Sequence, residues 1–220
     1  RNYLMTEPVA VRGPVRWFVP TDFWINFMKI LGQMGQVCAP RLFTNSHTPL
    51  YEARNRLVED AMRVKSDWTL WLDSDIIPPL NVYEQLRAHN KDIVTGLYFQ
   101  VTPPYQPIAH LWYDNKSEFI RPADLKIGET FPIYSAGMGC ALIKTEVFKR
   151  MEIPWFNHLP NVVSEDVYFY QKAKELGYQT YLDTQCLWDH FGGSIGVGTY
   201  VAYQNYLSRM EEIEKNGNKR

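Results

Sequence analysis

The segment from Trp68 to Pro79 limits the folds that this chain can adopt more than any other segment does. It begins with the apolar or β-prone run Trp68 to Leu72, without the polar alternation of a half-exposed strand. Such a run is typical of a strand buried on both faces, as in a parallel sheet between helices. It ends at Asp73 and Asp75, and the prolines that follow cannot donate ladder hydrogen bonds. The segment therefore predicts a central strand that ends in two acids.

The two acids predict a ligand site. Side chains two residues apart on an extended chain project to the same side, and open α/β sheets bind ligands at the carboxyl ends of their strands. Two adjacent carboxylates repel each other unless a cation joins them, and a hard divalent metal ion with oxygen ligands is the natural candidate. The alternative is that Asp73 and Asp75 only turn the chain and cap a helix that begins near Leu80.

Short β-prone runs alternate with amphipathic helical patterns in the first half of the chain. This order predicts an α/β fold with a Rossmann-like, mostly parallel central sheet flanked by helices. After Val101 the pattern changes to short β-like pieces, which predict a smaller antiparallel or irregular region. We expect one domain over residues 1–220, with a nucleotide-binding half at 15–100, an acceptor-side half at 101–200 and a C-terminal helix and tail at 200–220. Strands are predicted at 15–19, 37–43, 68–75, 93–99, 108–113, 118–121 and 180–182, and helices at 21–31, 49–64, 80–89, 145–151, 164–176 and 200–215.

Composition excludes several classes of protein. The net charge of −1 and the absence of a basic run argue against nucleic-acid binding. The three cysteines are far apart and odd in number, which predicts neither a disulfide framework nor a CxxC zinc site and favours a reducing, cytoplasmic location. No apolar run has the length of a membrane span and no signal peptide is visible, although peripheral association stays open.

Six short motifs, in this order and spacing, resemble those of GT-A fold glycosyltransferases. The resemblance is strongest to the broad family-2-like group of nucleotide-sugar enzymes, and it extends from about Val15 to Gly193. The motifs are Phe18-Val19-Pro20-Thr21, Ala53-Arg54-Asn55, Leu72-Asp73-Ser74-Asp75, Gly137-Met138-Gly139-Cys140, Ser164-Glu165-Asp166 and Trp188-Asp189-His190.

The resemblance implies that Asp73 and Asp75 form an Asp-x-Asp metal site for Mn²⁺ or Mg²⁺, which would bind the diphosphate of the donor. Asp75 would be the direct ligand, and Asp73 would act through water or the donor's ribose. His190 resembles the third ligand that many such enzymes supply late in the chain, and an imidazole favours Mn²⁺. The alternative for His190 is that it fixes the glycine-rich loop that follows it.

The resemblance also implies a nucleoside-diphosphate sugar as the donor, with a UDP-sugar favoured, and a carbohydrate or glycoconjugate as the acceptor. Asp166 resembles the base of the inverting branch, which would take the proton of the acceptor hydroxyl. The alternative for Asp166 is an ordinary acid in the first turn of a helix, where it complements the helix dipole. The implied donor-binding residues are Pro20, Thr21, Arg54, Asn55, Asp73, Ser74, Gly137 and Gly139.

Two other classes of protein stay open. A nucleotidyltransferase has similar topology and metal chemistry, but no glycine-rich loop follows the strand predicted at 15–19, which counts against it. A non-catalytic sugar-binding relative would keep the fold without releasing nucleoside diphosphate.

Overall fold

The computed structural model describes residues 8–14, 21–45, 49–159, 164–187, 189–190 and 199–217. The strands are β1 Pro8–Pro14, β2 Ala39–Asn45, β3 Trp68–Leu72, β4 Ile76–Ile77, β5 Ile93–Leu97, β6 Ala109–Tyr113, β7 Lys116–Phe119, β8 Thr130–Ile133, β9 Ser135–Ala136, β10 Cys140–Lys144, β11 Thr180–Leu187 and β12 Asp189–His190. The helices are α1 Thr21–Met34, α2 Leu50–Arg63, α3 Val82–Ala88, α4 Thr145–Arg150, α5 Glu165–Glu175 and α6 Thr199–Gly217, and a 3₁₀ turn spans Pro122–Asp124.

The main sheet has seven strands in the order β2-β1-β3-β10-β5-β11-β8. Strands β2, β1 and β3 pair in parallel, as do β5 and β11, whereas β10 and β8 run antiparallel to their neighbours. The predicted α/β class with a mostly parallel central sheet is therefore confirmed. Every residue of β3 and of β5 is buried, as the unbroken apolar run of β3 predicts.

Strand β10 joins the two parallel parts of the sheet. It lies between β3 and β5 and is antiparallel to both, with Cys140 opposite Leu72 and Ala141 opposite Thr95. The sequence indicates an apolar segment here but not a strand inserted at the centre of the sheet. An apolar run reads the same whether its neighbours are parallel or antiparallel, so only the tertiary pairing reveals its place.

The second half of the chain adds two small antiparallel pairings, as the change of pattern after Val101 predicts. Strands β7, β6 and β9 form a three-stranded antiparallel sheet. Strand β12 pairs with β4, which places the backbone of His190 opposite Ile76, one residue after Asp75. This pairing brings the backbone of Asp189 and His190 to the turn that follows β3.

The first strand differs from the prediction. The structure places it at Pro8–Pro14, in register with β2 and β3, whereas the sequence pattern favours a strand at 15–19. The predicted segment lies outside the described residues, and α1 begins at Thr21. Only Val9 to Arg12 between the prolines has strand-like composition, so the pairing with two neighbours, rather than local propensity, makes this a strand.

The core lies on both faces of the main sheet. One apolar cluster packs under α1 and α3, and the other surrounds Trp71 and the aromatic residues of α4 and α5. Arg12 is an exception to this apolar packing: it is 1% exposed, and its guanidinium lies 3.9 Å from the centre of the Phe43 ring. None of the described helices is both long and apolar enough for a membrane span.

Candidate active site

A tight turn after β3 presents the two acids predicted to bind metal. The backbone N–H of Asp73 donates to the carbonyl of Gly139 at 3.1 Å, which fixes the end of β3 beside the start of β10. The carbonyl of Asp73 then accepts from the N–H of Ile76 at 3.1 Å and closes the turn. Asp73 and Asp75 are half-buried in this turn, whereas Ser74 between them is buried. The turn lies at the carboxyl end of β3, where ligands bind in open α/β sheets.

Helix α2 contributes a buried arginine that connects this turn with α5. Arg54 is 2% exposed; its Nη1 donates to Oε1 of Glu165 at 2.6 Å, and its Nη2 lies 3.3–3.4 Å from the carboxylate oxygens of Asp73. Its Nε has no hydrogen-bond partner among the described residues. Arg54 therefore joins an acid of the β3 turn to an acid of the first turn of α5.

The first turn of α5 carries Glu165 and Asp166. Oδ1 of Asp166 accepts from the backbone N–H of Val167 at 2.8 Å and from the hydroxyl of Ser164. No described residue donates a hydrogen bond to its other oxygen, Oδ2. The described residues thus hold the carboxylate of Asp166 through one oxygen, Oδ1. We call the whole group the acid cluster: Arg54, Asp73, Asp75, Glu165 and Asp166.

The acid cluster holds more negative than positive charge. Burial raises the pKa of Asp73 above its ordinary value; Arg54 lowers that pKa and Asp75 raises it again. Burial likewise raises the pKa of Glu165, and Asp166 adds to that rise against the effect of Arg54. Burial alone would lower the pKa of Arg54, but the surrounding carboxylates raise it. One guanidinium therefore interacts with three carboxylates, and Asp75 adds a fourth negative charge beside Asp73. This arrangement favours binding of a further cation.

The two predicted glycines are explained by a tyrosine at the end of β5. A Cβ atom at Gly137 would lie 2.0 Å from the hydroxyl of Tyr98, and one at Gly139 would lie 2.9 Å from it. The N–H of Gly139 donates to this hydroxyl at 3.0 Å, and the hydroxyl of Tyr170 donates to the carbonyl of Gly137 at 3.4 Å. The glycines thus give the Tyr98 ring room beneath the segment that holds Asp73. Their predicted contact with the donor stays a prediction.

Asn55 holds a neighbouring loop. Its Nδ2 donates to the carbonyl of Phe156 at 2.8 Å, and its Oδ1 accepts from the N–H of the same residue at 3.0 Å. Both ends of the amide are therefore engaged with one backbone unit, and the predicted role in donor binding stays a prediction.

The remaining predicted site residues differ in how much the structure says of them. Thr21 is exposed at the start of α1, and Pro20 lies outside the described residues. The backbone of His190 lies opposite Ile76, but the side chain of His190 is outside the described part of the structure. Within the side chains that are described, no three His, Cys, Asp or Glu residues form a group that could hold a metal ion. The predicted metal site of Asp73, Asp75 and His190 stays a prediction.

Sequence reasoning missed Glu165, Tyr98 and Tyr170 as parts of the site. Glu165 stands next to Asp166 in the motif, so its involvement could have been inferred once Arg54 was known to be buried. The two tyrosines have buried hydroxyls and, because of this burial, raised pKa values. Nothing in the local sequence distinguishes them from other core tyrosines.

Comparison with solved structures supports the fold. The protein A197 from STIV superposes with a TM-score of 0.61 at 18% identity, over 84% of this chain and 86% of that chain. At this level of identity the likeness shows a shared fold alone. A Drosophila β-1,4-galactosyltransferase 7 variant, in complex with manganese, UDP-Gal and xylobiose, has a TM-score of 0.45 at 16% identity, over 85% of this chain and 71% of that chain. A TM-score below 0.5 does not establish a common fold.

Two sequence comparisons concern a shorter segment. The Anp1 family model matches residues 48–117, about a third of the chain. A mannan polymerase complex subunit, MNN9, of Candida albicans is 34% identical over 73 residues, which are 33% of this chain and 18% of that protein. The segment matched by the family model contains Arg54, Asp73 and Asp75, whereas Glu165, Asp166 and His190 lie beyond it.

Proposed function

We propose that the chain is a metal-dependent glycosyltransferase that transfers a sugar from a nucleoside-diphosphate sugar to an acceptor hydroxyl. The observation that supports this best is the acid cluster: carboxylates from β3 and α5 meet around the buried Arg54 at the carboxyl edge of a mostly parallel sheet. The Anp1 match adds support because it covers the part of the chain that holds the arginine and the first two acids.

The donor atoms of the cluster suit a divalent cation. Burial, and then repulsion from Asp75, raise the pKa of Asp73 against the effect of Arg54, so a second positive charge would stabilise both carboxylates. Asp73 and Asp75 would hold such an ion through oxygen, and His190 is the proposed third ligand. Carboxylates combined with an imidazole fit Mn²⁺ better than Mg²⁺. When bound, the ion would balance the charge of the departing diphosphate.

We assign the role of general base to Asp166. Its Oδ1 is fixed by Val167 and Ser164, which leaves Oδ2 to accept a hydrogen bond from the acceptor hydroxyl. As the acceptor oxygen bonds to the anomeric carbon, its proton passes to Asp166, and the bond from that carbon to the diphosphate oxygen breaks. Attack opposite the leaving group inverts the anomeric configuration.

We assign a positioning role to Arg54. Its two Nη atoms are engaged by Asp73 and Glu165, so in this structure it fixes the carboxylates on either side of the site. A guanidinium forks naturally onto two oxygen partners, which a lysine at the same position could not do. The position of the β3 turn relative to the first turn of α5 therefore depends on this side chain.

The test combines ligand binding and turnover. Thermal unfolding is followed with UDP, GDP and their sugars, with and without Mn²⁺; GDP-mannose is included because of the mannan-related name of the Candida albicans protein. A ligand at about a hundred times its Kd stabilises the native state by about 2.7 kcal/mol. We expect this shift only with metal, and we expect Asp75→Ala to abolish it.

Asp166→Asn separates binding from chemistry. It should keep the metal-dependent shift and lower the release of nucleoside diphosphate by roughly 10²–10⁴-fold, the contribution typical of a general base. The matched control is Asp92→Asn, which removes a half-buried acid that pairs with Lys144 before the amino end of β5. Normal turnover by Asp166→Asn would overturn the assignment of the base.

The products discriminate between the classes of protein. Release of nucleoside diphosphate supports the glycosyltransferase. With a nucleoside triphosphate and a sugar phosphate supplied instead, release of pyrophosphate would indicate a nucleotidyltransferase. Sugar binding without any release would indicate a non-catalytic relative.

A further inference from the structure

A separate cavity of about 530 Å³ lies between the β6–β7 hairpin and α6. Its size is that of a site for a small molecule. Its floor and walls come from β6, β7, the segment after β7, the loop before β6 and one face of α6. The residues that matter for the argument are His110, Glu118, Phe119, Arg121, Tyr203 and Tyr206.

Aromatic contacts fix the walls of the cavity. Tyr203 of α6 is 4% exposed and packs on Phe99 with ring centres 5.0 Å apart, and Tyr206 meets the edge of Tyr105 at 6.3 Å. On the opposite wall, Phe119 packs on the imidazole of His110 at 4.5 Å. The two tyrosines are thus held by rings outside the cavity, and Phe119 by a neighbour in the same wall, so all three present defined surfaces to a ligand.

Of the described residues that line the cavity, Glu118 and Arg121 carry opposite charges. Glu118 pairs with Arg121 at 3.4 Å and, outside the lining, with Lys116 at 2.5 Å, and Arg121 also lies 4.0 Å from the centre of the Tyr113 ring. A phosphate at this wall would meet a guanidinium that is already paired with a carboxylate. Aromatic rings beside carboxylate and guanidinium groups suit a neutral polyhydroxylated ligand, because its C–H faces pack on rings and its hydroxyls exchange hydrogen bonds with the charged groups.

Strands β6 and β9 connect the wall of the cavity with the Gly137–Gly139 segment beside the acid cluster. Strand β6 pairs with β9 through Ala109 opposite Ala136 and His110 opposite Ser135, and β9 leads directly into Gly137. The imidazole of His110 also exchanges a 3.0 Å hydrogen bond with the Ser135 hydroxyl. Burial lowers the pKa of His110, while the charge of Asp166 acts to raise it, so Asp166 is close enough for its charge to affect this ring.

We propose that this cavity binds a short neutral saccharide, the part of the acceptor that carries the reactive hydroxyl. The saccharide packs between Phe119 and the tyrosines of α6, and its reactive end extends past β6 towards Asp166. This assignment rests on the proposed function for its biological meaning, but saccharide binding itself can be measured without donor, metal or turnover.

The test is saturation-transfer NMR on the complete chain, with α-linked mannobiose, maltose and xylobiose as probes and without nucleotide or metal. We expect at least one disaccharide to bind. Tyr206→Ala should weaken its Kd roughly 3- to 10-fold, the effect of losing one ring contact. Val201→Ala is the matched control, because it changes an exposed apolar residue of α6 that does not line the cavity. Phe119→Leu tests the opposite wall if Tyr206→Ala unfolds.

The outcomes separate this proposal from the proposed function. Binding weakened by both cavity variants but not by Val201→Ala supports the cavity, even if no nucleoside diphosphate is ever released. The proposal is overturned if no disaccharide binds, if the cavity variants bind as the wild type does, or if UDP or GDP displaces the disaccharide. If turnover occurs with an acceptor KM that Tyr206→Ala leaves unchanged, the cavity assignment fails while the proposed function stands.

Discussion

Arg54→Met tests whether one buried guanidinium holds the acid cluster together. The side chain is 2% exposed, and its partners Asp73 and Glu165 are 25% and 14% exposed. Removing one partner of a buried ion pair costs about 3–5 kcal/mol, because the other charge is left without compensation. Since Asp73 keeps some contact with water, we expect the lower end, about 3 kcal/mol. For a chain of this size that is a fall in Tm of roughly 6–12 °C.

The measurement is urea or thermal unfolding at neutral pH. Arg63→Met is the matched control, because it removes an arginine from the same helix whose side chain is 72% exposed and pairs with Asp60 at 2.6 Å. Its loss should cost less than about 1 kcal/mol. Adding Glu165→Gln to Arg54→Met should recover part of the stability, since it removes one of the uncompensated charges. Equal Tm values for Arg54→Met and Arg63→Met would refute the reasoning.

Three further predictions concern stability. Gly137→Ala should destabilise the fold by about 1–3 kcal/mol, because the added Cβ meets Tyr98. Gly32→Ala in α1 should stabilise the fold by about 0.5–1 kcal/mol in the same unfolding assay, because there is open space around Gly32. Burial lowers the pKa of Arg12 to about 9, so we expect Arg12→Met to raise the free energy of unfolding by about 1–2 kcal/mol; a loss would reveal a partner for Arg12 beyond the described residues. The pKa of His110 is lowered in the folded state, so the unfolded chain binds the proton first as the pH falls below about 6.5. The free energy of unfolding should therefore decline below that pH. In urea titrations the decline should be larger for the wild type than for His110→Gln.

The central strand and its acids could be predicted because their signal is local. The apolar run followed at once by Asp73 and Asp75 predicts a buried strand that ends in two acids. In the structure β3 is fully buried, and the two acids lie in the turn that follows it. The burial of Arg54 could also have been read from the sequence. It stands four residues before Val58 and seven before Ala61, so it shares the buried face of α2 with them.

Other features depend on contacts between distant parts of the chain. The glycines at 137 and 139 predict that a ligand can approach the backbone closely, but in the fold the group packed against them is the side chain of Tyr98. The Phe131–Ile143 segment is apolar, but its composition does not show that its last part pairs with both β3 and β5. In both cases the local sequence shows that the segment packs closely against another group. It does not identify that group, which lies some forty to seventy residues away along the chain.

The central place of β10 has a consequence for how the chain is made. As the nascent polypeptide leaves the ribosome, β3 and β5 emerge long before β10, Cys140–Lys144. Until β10 has emerged, neither strand can pair with it as both do in the finished sheet. Both would display bare, apolar edges, which are prone to pair with other chains. A truncated product that stops short of Lys144 should therefore be insoluble rather than half-active, and early protection by a chaperone should raise the yield of the whole chain.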